Sequence, residues 1–71
     1  MDRQPVASRA LVSVGYDEAS ATLEVEFAGG GVYRYFAVPS RVYAGLMAAE
    51  SHGTYFDTYV KKAGYRHRRV R

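Results

Sequence analysis

Seventy-one residues with no cysteine allow one domain and exclude disulfide staples and thiolate metal sites. Such a chain buries only about 60% of the surface its unfolded form exposes, so seven Tyr and three Phe must supply much of a small core. The net charge of +3 is unevenly spread: residues 1–60 hold four Arg and all seven acids, a balance of −3, whereas residues 61–71 hold six cations and no acid, a balance of +6. A local excess of this kind points to a surface that meets anions.

Residues 1–7 read as an N-terminal extension, 8–65 as the folded domain and 66–71 as a basic C-terminal segment. Met1 to Ala10 has no apolar run of the kind a signal peptide carries, and no stretch approaches the ~20 apolar residues of a membrane span. The expected location is the cytoplasm. Leu11 to Tyr16 and Ala21 to Phe27 alternate with a period of two, which predicts half-buried strands. Setting Tyr16 opposite Leu23 also pairs Val14 with Val25 and Val12 with Phe27, and leaves Glu18–Ala21 as a four-residue loop. Gly29–Gly31 is a turn, and Val32 to Val38 a third strand rich in aromatic and β-branched residues. A three-residue glycine loop places Glu26 opposite Arg34 and Val25 opposite Tyr35; a two-residue turn would drive Arg34 into the core.

Pro39 ends the third strand and suits the first position of a helix. Val42, Leu46 and Ala49 then recur at helical spacing, widened by Tyr43 and Met47, as far as about Glu50. Ser51 or Thr54 can cap a second helix with a stripe of Phe56, Tyr59, Val60 and Ala63. Lys61 and Lys62 lie in its last turn, complementing the dipole, and Gly64 stops it. Tyr65 to Arg71 reads either as a short edge strand or as a loose tail. The predicted fold class is therefore α+β: a three-stranded antiparallel meander, with a fourth C-terminal strand as an option, and two helices packed on one face. Its core is Val12, Val14, Tyr16, Leu23, Val25, Phe27, Tyr33, Tyr35, Val42, Leu46, Phe56 and Val60.

Ser-Val-Gly-Tyr-Asp at 13–17, Leu-Glu-Val-Glu-Phe at 23–27, Tyr-Arg-Tyr at 33–35 and Val-Pro at 38–39 resemble the KTSC domain. So do Ala-Glu-Ser-His-Gly-Thr-Tyr-Phe at 49–56 and Lys-Lys-Ala-Gly-Tyr at 61–65. That family is named for a lysyl-tRNA synthetase C-terminal domain and also occurs as free-standing small bacterial proteins. Its central Tyr-x-Tyr signature is matched by Tyr33 and Tyr35. The resemblance implies the free-standing bacterial form and an RNA partner. It carries over no amino-acid activation or ATP binding, because this chain has no synthetase domain.

No constellation in the sequence supports catalysis, a metal or a cofactor. His52 beside Ser51 and Thr54 lacks an orienting acid and reads as a turn histidine. Glu24 and Glu26 read as strand-surface partners of Arg34, and Gly29–Gly31 lacks the Lys-Ser/Thr of a phosphate loop. The candidate nucleic-acid contacts are Lys61, Lys62, Arg66, Arg68, Arg69 and Arg71, with Tyr65 as a ring that stacks on a base. Engaging four to six such cations makes affinity fall ~10²–10³-fold between 50 and 200 mM salt. Tyr33 and Tyr35 are assigned to the core, and the opposite face, with its two carboxylates, is expected to be a poor landing site for phosphate. The alternative partner is another protein chain or a second copy, met through an exposed edge strand and Phe36.

Overall fold

The computed structural model describes residues 1–71. Five strands form one antiparallel sheet in chain order: β1 (Gln4–Pro5), β2 (Leu11–Asp17), β3 (Thr22–Phe27), β4 (Val32–Tyr35) and β5 (His67–Arg69). Helices α1 (Ser40–Ala48) and α2 (His52–Phe56) lie between β4 and β5 in sequence, and α2 runs on into a π-helical turn, Asp57–Lys61. The α+β class and the two helices are as the patterning predicts. The C-terminal segment is a strand and not a tail, and residues 4–5, set apart as an extension, pair with Val14 and Ser13.

The first hairpin has the predicted register at Tyr16–Leu23, Val14–Val25 and Asp17–Thr22. Towards its open end a bulge inserts Val12 as an unpaired residue, so Leu11 and not Val12 faces Phe27. A bulge reverses the alternation on one side of itself. Leu11 is therefore buried while Val12 is 43% exposed, which removes Val12 from the predicted core. In the second hairpin the loop is three residues long but begins one residue earlier. Phe27 N–H bonds to Gly31 O at 3.0 Å around Ala28–Gly30, and Gly30 and Gly31 take φ of 108° and 92° that other residues rarely adopt. Moving the loop by one residue moves the register by two, so Glu24 faces Arg34, Val25 faces Tyr33 and Leu23 faces Tyr35. The expected pairs Glu26–Arg34 and Val25–Tyr35 are displaced, yet every side chain keeps its face because the shift is even.

The covered face carries Val14, Leu23, Val25 and Tyr35, which join Leu11, Val38, Leu46, Phe56 and Val60 in the core. Tyr16, Phe27, Tyr33 and Val42 pack at its margin, half-buried. Pro39 stands just outside α1, where its carbonyl accepts from Val42 N–H at 3.0 Å. The helix stops at Ala48, two residues short of the predicted Glu50. Ser51 caps α2, accepting from Thr54 N–H at 3.2 Å. The widened turn that follows, with Lys62 N–H on Asp57 O at 3.0 Å, breaks the 3.6-residue period. Phe56 and Val60 stay buried, whereas Tyr59 is 53% exposed and Ala63 is exposed, against the stripe predicted for α2. Gly64, with φ of 82°, ends the segment as predicted.

Gly45 lets α1 and α2 approach: a Cβ there would overlap the Tyr55 hydroxyl and stand 2.6 Å from its Cζ. Alanine at this position gains about 0.5–1 kcal/mol in helix propensity, but overpacking costs about 1–3 kcal/mol. Gly45→Ala is expected to lower the melting temperature by several degrees. In a Tyr55→Ala background the same change should raise it. A stabilising effect in both backgrounds would mean that the helix pair does not depend on this contact.

Candidate nucleic-acid interface

The polar face of the sheet is organised by a row of cross-strand partners, Gly15–Glu24–Arg34–Arg68. The Glu24 residue is only 3% exposed, and a carboxylate that far from water needs partners on both oxygens. Arg34 Nε donates to Oε1 at 2.8 Å, and Arg3 Nη1 donates to Oε2 at 2.5 Å. Arg3 also bonds Ser13 Oγ at 2.9 Å through Nε and lies 3.8 Å from Glu26, whose Oε1 accepts from the Ser13 hydroxyl at 2.9 Å. The chain at Asp2 and Arg3 reaches this position by crossing directly over Gly15, where a Cβ would stand 2.6 Å from the Asp2 carbonyl oxygen. Both carboxylates of this face are therefore engaged by arginines of the body.

Strand β5 distributes the C-terminal cations. Phe36 N–H bonds to Arg66 O at 2.8 Å and Val70 N–H to Val32 O at 2.7 Å. With Arg34 opposite Arg68, the even-numbered residues of β5 lie over the polar face. His67 and Arg69, opposite Tyr35 and Tyr33, lie on the other face. The His67 ring stacks on Tyr35 with centroids 4.9 Å apart and planes at 26°. The Arg69 guanidinium carbon is 6.0 Å from the centre of the Tyr33 ring, a cation–π distance. Of the six cations in residues 61–71 only Lys62 meets an acidic side chain, Asp57 at 3.2 Å; Lys61, Arg66, Arg68, Arg69 and Arg71 meet none, and Arg69 Nε donates instead to the Arg71 main-chain oxygen at 2.7 Å. Arg66, Arg68, Arg69 and Arg71 are all exposed, as are Lys61 and Lys62. Arg66, Arg68, Arg69 and Arg71 thus gather exposed at the β5 edge of the sheet, away from the acidic side chains of the body.

Tyr65 is placed differently from its sequence reading. It is half-buried and packs against the core. The rings that stand among the cations are His67, which the sequence interleaves with them, and Tyr33, which the sequence reading assigned to the core. Tyr35 is in the core as expected; burial, and then the neighbouring Tyr33, raise its pKa. Burial likewise raises that of Tyr16, with Glu18, Asp17 and Tyr65 adding to it, and the Tyr16 hydroxyl donates to Val38 O at 2.6 Å. His52 Nδ1 is 2.7 Å from Leu46 O. A carbonyl only accepts, so Nδ1 carries the proton and His52 ties the end of α1 to the start of α2. Ser51 is occupied as a cap, and these residues do not form a nucleophile–base pair. No group of three or more His, Asp or Glu side chains is arranged to hold a metal ion, and no helix is long and apolar enough to cross a membrane.

The KTSC domain family model matches residues 7–65. The chain belongs to the KTSC domain family. It is 43% identical over 70 residues to an uncharacterised protein of Stutzerimonas stutzeri, covering 99% of each chain. A crystal structure of a KTSC domain protein from Yersinia pestis superposes with a TM-score of 0.92 at 38% identity, covering 99% of this chain and 97% of that one. The lysine–tRNA ligase of Nostoc punctiforme is 41% identical over 46 residues, which cover 65% of this chain and 8% of the ligase. The KTSC unit is thus similar both to small proteins of its own length and to a short segment of a much larger enzyme.

The Glu24 clamp generates a pH dependence for this KTSC domain. Burial alone would raise the Glu24 pKa, but hydrogen bonds and charge from Arg34 and Arg3 outweigh it and hold the group below its ordinary 4.5. A lowered folded-state pKa contributes stability that is present above the ordinary value and lost as pH falls through the folded one. The melting temperature is expected to fall as pH drops below about 4.5. Glu24→Gln should be less stable at pH 7 and show a shallower acid decline. Parallel pH profiles for the two proteins would rule out the clamp as a source of stability.

Proposed function

We propose that this KTSC domain is a small non-enzymatic module that binds RNA through the cationic edge built by β5 and the end of the π-helical turn. The observation that carries the proposal is the charge pairing. The body's Glu24 and Glu26 are taken up by Arg3 and Arg34, while five of the six C-terminal cations meet no Asp or Glu side chain. Ordered on a strand, such cations displace counterions from a phosphate backbone without first paying to leave an ion pair. The similarity to a segment of a lysine–tRNA ligase supports RNA as the polyanion, since that enzyme is named for a tRNA substrate. Phosphate contacts of this type hold a backbone and carry no base preference of their own.

Single-stranded RNA titrated in about 50 and about 200 mM salt should show affinity falling roughly 50- to 300-fold, as expected for four to six cations. Replacing Arg66, Arg68, Arg69 and Arg71 together by Gln keeps the strand's backbone and should weaken binding and flatten the salt dependence. Binding that is indifferent to salt and to those four replacements would refute the proposal.

Self-association through the sheet edges is opposed by the same residues. The outer edge of β1 ends in Pro5, which lacks an N–H, and pairing β5 with a second β5 would set arginine against arginine. Phe36, proposed from sequence as an exposed contact, is half-buried. Light scattering in low salt should give a monomer mass of 7.9 kDa. A dimer lost on Phe36→Ser would favour the protein-interaction alternative.

A further inference from the structure

Beside the cationic edge lies a groove between the covered face of β4 and the α2–π segment, with a volume near 500 Å³. Its floor is aromatic. Phe27 and Phe56 meet edge-to-face at 5.3 Å and Tyr33 meets Phe27 in the same way at 5.5 Å. Lys61 and His67 stand at its rim, with Asp57 and the outermost residue Ala10. Three features of this groove point the same way. Its volume is within the range of about 300–1,000 Å³ typical of small-molecule sites. The His67 ring, stacked on Tyr35, is exposed, and so extends the aromatic surface outwards. Arg69 lies over Tyr33, its Nε held on the Arg71 main-chain oxygen and its guanidinium facing no Asp or Glu side chain.

We propose that the groove receives an unpaired base of a single-stranded nucleic acid, with the phosphates on either side held by Arg69 and Lys61. This rests on the nucleic-acid reading above and adds to it a strandedness. A duplex keeps its bases stacked inside and offers the groove nothing, whereas a single strand can give up one base to an aromatic floor. The charge of the rim selects this occupant over an apolar peptide side chain, because Lys61 lines the groove and Arg69 stands over Tyr33 on the same face of the sheet. The assignment also gives Tyr33 a function besides packing: it is half-exposed at the groove, while Tyr35 is buried behind it.

The test compares three probes in low salt: a short mixed-sequence single-stranded RNA carrying a fluorescent adenine analogue, its duplex with the complementary strand, and inorganic polyphosphate. The single strand should bind most tightly, with quenching of the analogue as it stacks. Tyr33→Leu removes the ring while keeping apolar volume, and Ala10→Phe obstructs the mouth from an exposed position without changing charge. Each should weaken single-strand binding about ten-fold or more and leave the salt dependence as in the wild type. If Tyr33→Leu fails a melting check, Ala10→Phe decides. Equal binding of all three probes, or wild-type affinity in a folded variant, would overturn the base-binding groove and leave the cationic edge standing. No binding to either RNA would overturn both readings, and a captured aromatic peptide with no RNA binding would assign the groove to a protein partner.

Discussion

A carboxylate cannot be taken out of water alone, and in this domain Glu24 has been taken almost wholly out of it. Much of the polar side of the molecule follows from that constraint. One oxygen is met by Arg34 from the neighbouring strand, and the other by Arg3, which arrives from the N-terminal segment. For Arg3 to arrive, the chain must cross β2 at a point with no side chain, and Gly15 supplies it. Strand β1 is therefore fixed less by its own two residues than by the charge it brings.

The same clamp decides the electrostatic character of the surface. Seven acids and ten basic residues could have paired in many ways. Arg3 and Arg34 take Glu24 and Glu26, and the cations of β5 meet no acidic side chain of the body. The period of two in a strand then divides them: Arg66 and Arg68 extend the polar face, while His67 and Arg69 lie against the two tyrosines of the Tyr-x-Tyr signature. That signature is accordingly double in its roles. Tyr35 is a core residue, whereas Tyr33 is a half-buried wall beside a guanidinium.

The π-helical turn contributes to the groove by the same economy. An ordinary helix through Asp57–Lys61 would have turned Tyr59 towards the core. The extra residue in the turn keeps Phe56 and Val60 inward, releases Tyr59 to the surface and sets Lys61 at the groove's rim. Resemblance to both small proteins and a ligase segment fits the proposal of a contact surface on the domain's own β4–β5 edge.

Local pattern was sufficient for the strands from Leu11 to Tyr35, the faces of nearly all their side chains, the two helices and the stop at Gly64; it carried the third strand on to Val38, whereas β4 ends at Tyr35 and Ala37 takes a φ of 57° before Pro39. Alternation and helical spacing are properties of neighbouring residues, so they can be read without knowing the fold. The clustering of six cations after residue 60 was equally plain. What depends on distant groups was not legible: the bulge at Val12, the two-residue shift that gives Arg34 to Glu24, the pairing of β1, and the choice of strand over tail at His67–Arg69. A run such as Arg-His-Arg-Arg has no apolar alternation to announce a strand. It becomes one because β4 presents unpaired backbone groups and two aromatic rings along its edge. Sequence alone thus determined where the positive charge resides; only tertiary pairing decided that it would be held rigid, unneutralised and next to an aromatic groove.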